Sequence, residues 1–181
     1  MKLKNFRMTK SGNYLNNYEL TYINKAGNDK VYEMVSREKY KDVNDVGKKT
    51  AGVIIVAFTN DGEEEKILLV REFRMGVNEY VYAFPAGLSD ADETVEQTAT
   101  RELKEETGAK DFTLEPVCIY GVKEGDGDET YGMLCVADIT SFEPFDSEIE
   151  KIVITDTLPD NWTYPTVQPY LLKELKRRNL I

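Results

Sequence analysis

The chain contains no histidine. That absence removes imidazole-ligated zinc, Ser-His-Asp triads and any histidine general base from consideration. Cysteine is almost as scarce. Cys118 and Cys135 each sit inside an apolar run, which suits free buried thiols better than a disulfide framework. No apolar run approaches the ~18 residues of a membrane span. The opening stretch MKLKNFRMTKSGNY has no apolar h-region and no small-residue cleavage site, so it does not read as a secretory signal. The expected compartment is the cytoplasm, with no membrane partner. Positive charge is also in deficit: 23 Lys and Arg stand against 33 Asp and Glu, a net charge of −10. A broad electrostatic grip on nucleic acid is therefore not expected.

What the chain does have is carboxylate. If it is an enzyme, then carboxylates, Lys, Tyr or a bound metal must manage protons, and so many Asp and Glu suggest a hard cation on oxygen ligands. At 181 residues, 41% of them hydrophobic, the chain fits one ordinary domain with a small appendage. Residues 1–48 are polar and rich in Asn, Lys and Tyr. Strand-like stretches there are Leu3–Met8, Tyr18–Ile23 and Lys30–Val35, with the turn composition of residues 25–29 joining the last two as a hairpin. The segment has too little apolar content for an independent core, and the expectation is a small antiparallel sheet beside a main domain spanning 49–181. In that domain AGVIIVAF (51–58) reads as a buried strand, followed by strands at 66–71, 80–84, 113–122, 131–139 and 151–155. Helical patterns run from about Ala91 to Glu106 and from Val167 to Arg178. Strands on both sides of one central helix, plus a closing helix, predict an α+β fold with a mixed-sheet sandwich.

The segment Gly87–Ala109 reads GLSDADETVEQTATRELKEETGA. Asp90 with Glu93 suits an N-terminal capping pair, and Gly108 suits a helix stop. Val95, Ala99 and Leu103 recur at helical spacing and define a buried face. At ~100° per residue Glu106 falls inside that apolar sector and Glu102 at its edge, with Glu105 beside them. Three carboxylates about 6 Å apart repel by roughly 3 kcal/mol per pair at intermediate dielectric. Only Arg101 and Lys104 are near enough along the helix to relieve this, and a divalent cation would do so fully. A merely solvated acidic helix face would not place its glutamates inward.

Written as spacing, the segment is Gly87, five residues, Glu93, seven residues, then Arg101-Glu102-Leu103-x-Glu105-Glu106-x-Gly108. This resembles the Nudix box at every charged and glycine position, a match that chance would produce roughly once in a million. Ala109 stands where the family usually has a bulkier aliphatic residue. The resemblance implies a Nudix-type α/β/α sandwich that hydrolyses a phosphoanhydride with Mg²⁺, or Mn²⁺ in its place. It implies Glu102 and Glu106 as metal ligands, Glu105 as a ligand directly or through water, and the main-chain carbonyl of Ala86 as a further donor. Glu93 and Arg101 would pin the loop 88–92 to the helix, and Gly87 and Gly108 would supply backbone freedom.

The text before the box, Leu69-Val70-Arg71-Glu72-Phe73-Arg74 and then Phe84-Pro85-Ala86-Gly87-Leu88, is similar to the ADP-ribose pyrophosphatase branch of that family. The branch carries a Q/E-x-R element on a strand before a PAG turn. The resemblance implies substrate contacts from Arg74 and Arg71, the guanidinium fork suiting phosphate oxygens. It also implies a homodimer in which the N-terminal strands lend residues to the partner's pocket. The branch usually has a Ser-Pro-Gly-type loop after the box, and this chain has Val122-Lys123-Glu124-Gly125-Asp126-Gly127-Asp128-Glu129 in its place, without the proline. Glu129 is the preferred catalytic base at the acidic end of that loop, with Glu124 second. The expected substrate is ADP-ribose or a related nucleotide sugar. GDP-mannose, a dinucleotide or a nucleoside triphosphate remain open, as does a nucleotide-binding sensor without turnover.

Overall fold

The computed structural model describes residues 1–46, 50–60, 62, 64–90, 92–124 and 128–181, with side chains undescribed at 123, 124 and 128–130. The chain divides into two compact units, Met1–Lys49 and Thr50–Ile181.

The first unit is a three-stranded antiparallel sheet of β1 (Lys2–Ser11), β2 (Asn16–Ile23) and β3 (Asp29–Ser36) in sequence order. The turn between β2 and β3 is closed by Asn24, whose side chain accepts from the amides of Ala26 and Asn28. Gly27 occupies the left-handed region there at φ 83°. The aromatic residues pack the sheet: Phe6 stacks on Tyr18 at 5.3 Å, and Tyr40 tilts against the same ring. The Tyr18 hydroxyl donates to the Glu38 carbonyl and accepts from the Tyr40 amide, so a buried ring keeps its polar end satisfied. A single 3-10 turn follows at Val43–Asp45.

The second unit holds a seven-stranded mixed sheet. Its strands are β4 (Gly52–Asn60), β5 (Glu65–Arg74), β6 (Glu79–Ala83), β7 (Ala86–Leu88), β8 (Ala109–Glu124), β9 (Asp128–Phe142) and β10 (Ile149–Thr155). The spatial order is β10-β5-β4-β9-β8, with β6 also paired to β5 and β7 to β4. The β4–β9 pairing is parallel and the others are antiparallel. Helices α1 (Val95–Thr107) and α2 (Gln168–Arg177) cover opposite faces.

The continuous apolar run of β4 follows from that layering. Ile54, Val56 and Phe58 pack with Leu171, Leu172 and Leu175 of α2, while Val53, Ile55 and Ala57 pack with Ala99 and Leu103 of α1. A strand covered on both faces has no polar side to show. The α+β sandwich read from the sequence is the architecture found. The same alternation separates the cysteines: Cys135 lies in the α1 layer and Cys118 beside the α2 layer, both as free thiols. No helix among the described residues is long and apolar enough to cross a membrane.

Three elements differ from expectation. The first helix begins at Val95 rather than near Ala91, because Thr94 is the N-cap and shares a capping box with Gln97. Asp90 and Glu93 are joined by an amide-to-carboxylate bond of 3.1 Å, but before the helix, where it organises the preceding loop. The turn expected at Pro85-Ala86-Gly87 instead runs into the short strand β7 against β4.

Candidate active site

Helix α1 supplies the centre of the site. Thr98, Ala99, Leu103 and Thr107 are its buried line. Glu102 and Glu106 flank that line on the side of β7, while Lys104, on the other flank, lies over the Phe112 ring at 5.9 Å. Lys104 therefore does not relieve the carboxylates.

Arg101 does. Its Nε donates to Glu93 Oε1 at 2.7 Å and its Nη2 to Glu93 Oε2 at 2.8 Å, a two-point pairing. Nη2 also donates to the Leu88 carbonyl at 3.0 Å, and Nη1 to Glu102 at 2.6 Å and Glu105 at 3.3 Å. Glu93 Oε2 accepts further from the Asp90 amide, with the Thr98 hydroxyl 3.1 Å away. Arg101 and the Asp90 amide hold the Glu93 carboxyl down at about 2. One arginine thus ties the loop after β7 to the helix and offsets two of its three glutamates. The Glu105 side chain is 60% exposed, against 12% for Glu102.

Glu106 sits deeper. Burial pushes its carboxyl up to about 8, opposed by the Ala86 amide, which donates to Oε2 at 2.9 Å. The charges of Glu102, Glu72 and Glu148 push in the same direction as burial. Glu102 and Glu72 are raised by burial as well, each opposed by its own arginine, Arg101 and Arg74. The Ala86 atom in contact with the glutamates is its amide nitrogen. Among the described residues no three acidic side chains converge as a ready metal cluster. Glu102 and Glu105 turn to Arg101, and Glu106 to an amide, as mutually repelling carboxylates do when other partners are in reach.

Gly87 has a role other than backbone freedom. A Cβ there would collide with the Glu102 carboxylate, so the missing side chain is the space in which that carboxylate lies. Gly108 does need its freedom, with φ 68°.

Strand β5 brings Arg74 and Glu72 to the same face, with Arg74 Nε 2.9 Å from Glu72 Oε1. Arg74 also lies 5.7 Å from the Tyr164 ring centre. Alternation sends Arg71 to the other face, where Glu150 pairs with it and Tyr80 lies 4.3 Å from its guanidinium carbon. The structure does not bring Arg71 to the carboxylates. The side chains of Glu124 and Glu129 lie outside the described residues, although the backbone places Glu129 opposite Lys123 in the β8–β9 ladder.

Glu148 is a neighbour of the site that the sequence pattern does not reveal. It lies in the stretch Asp146-Ser147-Glu148 just before β10, and nothing local links it to the box. Its charge acts at Glu106 and Glu72, and strand pairing makes the next residue, Ile149, the register partner of Glu72. An acidic residue at the mouth of a strand is the one signal the sequence carries for it.

Residues 48–155 match the NUDIX domain, and the chain belongs to the Nudix family. A 99-residue stretch is 29% identical to an ADP-ribose pyrophosphatase of Bacillus subtilis, covering 55% of this chain and 52% of that protein. A 100-residue stretch is 32% identical to the ADP-sugar pyrophosphatase of Mus musculus, covering 55% and 44% respectively. The chain thus spans about half the length of these relatives. In fold it is similar to a crystal structure of the Bacillus subtilis pyrophosphohydrolase BsRppH, with a TM-score of 0.60, 22% identity and coverage of 91% and 94%.

Proposed function

We propose that this protein is a metal-dependent pyrophosphohydrolase acting on a nucleoside diphosphate linked to another moiety. ADP-ribose or a related nucleotide sugar is the foremost substrate, giving a nucleoside monophosphate and a sugar phosphate. The observation that carries this reading is the inward pair Glu102 and Glu106. Both carboxyls are held above their ordinary range by burial, on a helix whose Arg101 guanidinium is already shared. Such groups have little reason to be buried unless a cation joins them. An all-oxygen donor set without histidine or thiolate fits a hard divalent ion, Mg²⁺ with Mn²⁺ as substitute.

Glu102 and Glu106 would hold the ion, with Glu105 bound directly or through water and the Ala86 carbonyl as a further donor. When bound, the metal supplies positive charge to the pyrophosphate and to an attacking water. The chain's own residues do the rest. Arg101, bonded to Glu93 and Leu88, keeps the loop after β7 and the helix in one arrangement. Arg74, on the same face of β5 as Glu72, would meet a substrate phosphate, where its fork can grip two oxygens. Arg71, engaged by Glu150 and Tyr80, is given no phosphate here. Glu129 is proposed as the acceptor of the water's proton, with Glu124 second. The proposed assembly is a homodimer, the net charge of −10 disfavours a nucleic-acid partner, and two free thiols suit the cytoplasm.

The test is hydrolysis of ADP-ribose with Mg²⁺ against an EDTA control, beside GDP-mannose, a dinucleotide and a nucleoside triphosphate. AMP formed only with metal, and fastest from ADP-ribose, supports the reading. Preference for another diphosphate moves the substrate assignment alone. Tight nucleotide binding without turnover overturns catalysis in favour of a sensor.

A further inference from the structure

A threonine within a helix ordinarily gives its hydroxyl proton to the carbonyl one turn back. Thr98 has that carbonyl, of Thr94, at 3.1 Å, but the same hydroxyl is 3.0 Å from Ser89 Oγ and 3.1 Å from Glu93 Oε2. The residue is fully buried, with one proton for three acceptors. The Thr94 carbonyl already receives the Thr98 amide at 2.9 Å. Of the other two, the charged carboxylate is the stronger acceptor, and Ser89 has a proton of its own to give. The arrangement that satisfies every group therefore runs one way, from Ser89 to Thr98 to Glu93.

The members of this chain stand on different elements. Thr98 belongs to α1, and Glu93 to the loop before it. Ser89 follows β7, and its amide donates to the Ala51 carbonyl at 3.3 Å, while the Ala51 amide donates to the Tyr131 carbonyl at 2.8 Å. Its backbone is thus tied to the chain entering β4 and, through it, to β9. Beyond Glu93, Arg101 donates to both carboxylate oxygens at 2.7 and 2.8 Å and to Glu102 at 2.6 Å.

We propose that the hydroxyls of Ser89 and Thr98 fix the Glu93 carboxylate between sheet and helix, and that Glu93 in turn sets the direction of Glu102 through Arg101. Ser89 and Thr98 are positioning residues, since neither touches a reacting group. Every link from Ser89 to Glu102 is a contact of 3.1 Å or less. The inference rests on the proposed metal-dependent hydrolysis, because the metal at Glu102 reports the positioning, and its first readout needs no turnover.

The experiment compares Thr98→Val, which keeps the shape and removes the hydroxyl, with Thr98→Ser, which keeps the hydroxyl, and with Ser89→Ala alone and combined with Thr98→Val. Mn²⁺ affinity is measured by calorimetry, and kcat and KM on ADP-ribose with saturating Mg²⁺. Thr98→Val is expected to weaken Mn²⁺ binding about fivefold and to lower kcat about tenfold, with KM within about twofold. Thr98→Ser should stay within about twofold of wild type in all three quantities. Ser89→Ala should show a smaller loss of the same kind, and the double variant should be no worse than Thr98→Val, because Ser89 acts through Thr98. A Thr98→Val protein that loses melting temperature but binds Mn²⁺ and turns over as wild type overturns the proposal, since the hydroxyl would then serve the helix alone. So does a Thr98→Ser protein as impaired as Thr98→Val, or a double variant in which the two losses add. If Thr98→Val does not fold, Ser89→Ala decides, and wild-type Mn²⁺ affinity there overturns the proposal. If the wild type turns over no substrate but the Mn²⁺ affinities follow this pattern, the hydrolase reading has failed and the positioning role stands.

Discussion

Glu106 meets two opposing demands. Burial, with the charges of Glu102, Glu72 and Glu148 acting in the same direction, holds its carboxyl up to about 8, yet the proposed chemistry needs it charged. The unfolded chain gives up this proton near the ordinary 4.5, and the folded chain keeps it until about 8. Folding without metal is therefore disfavoured progressively from pH 4.5 upward, and the penalty levels off above pH 8. Glu106→Gln removes that penalty. In EDTA at pH 8.5 its Tm is expected to equal or exceed that of wild type, while kcat with Mg²⁺ falls by about a hundredfold or more. A Tm far below wild type under those conditions would make Glu106 structural. Glu93 has the opposite sign. Its carboxyl is held at about 2, so its contribution is present above pH 4.5 and is lost as the pH falls through 2. In urea denaturation followed across that window, Glu93→Gln should lose less stability on acidification than wild type does. Part of the acid response will persist, because Glu174 is held at about 2 by Arg177 and Arg178.

At the level of elements, α1 explains why the sequence was informative where it was. The spacing of Ala99 and Leu103 sets the buried line, and the glutamates fall beside it by geometry alone, so helical periodicity suffices to place Glu106 at depth. The start of the helix was not legible in the same way. Asp90 and Thr94 both offer side chains suited to a cap, and which one caps depends on where Glu93 is drawn by Arg101, a contact made eight residues along. Glu93 engaged by Arg101 leaves the capping box to Thr94 and Gln97. Thr94→Ala should accordingly cost about 1 kcal/mol in urea denaturation with kcat/KM unchanged. A loss of activity in step with stability would show that the cap also sets the carboxylates. Glu148 and the face of Arg71 were beyond local reading for a different reason. The first depends on β10 pairing with β5, and the second on the strand extending through Arg74, so that alternation could be counted from Leu68 to Glu72. Register between distant strands leaves little trace in a local window.

For the whole molecule the question is what the first unit is for. Its sheet is too small to be rich in core, and β3 exposes Val31, Tyr32 and Val35 at 56%, 50% and 58%. Apolar side chains stand on both faces of β3, since Val31 and Val35 alternate with Tyr32, and β1 and β3 are the outer strands. A strand of this kind invites association unless it is covered. A second copy of the chain would cover it at no cost in new sequence, and two such sheets meeting could approach the ~1,600 Å² of a standard interface. The wild-type protein is therefore expected to run as a dimer in light scattering at micromolar concentration. Val31→Lys together with Val35→Lys should shift it toward monomer, because two like charges would be brought together across the interface. If the wild type is monomeric throughout that range, the exposed face of β3 serves some other contact, and the proposed homodimer is wrong.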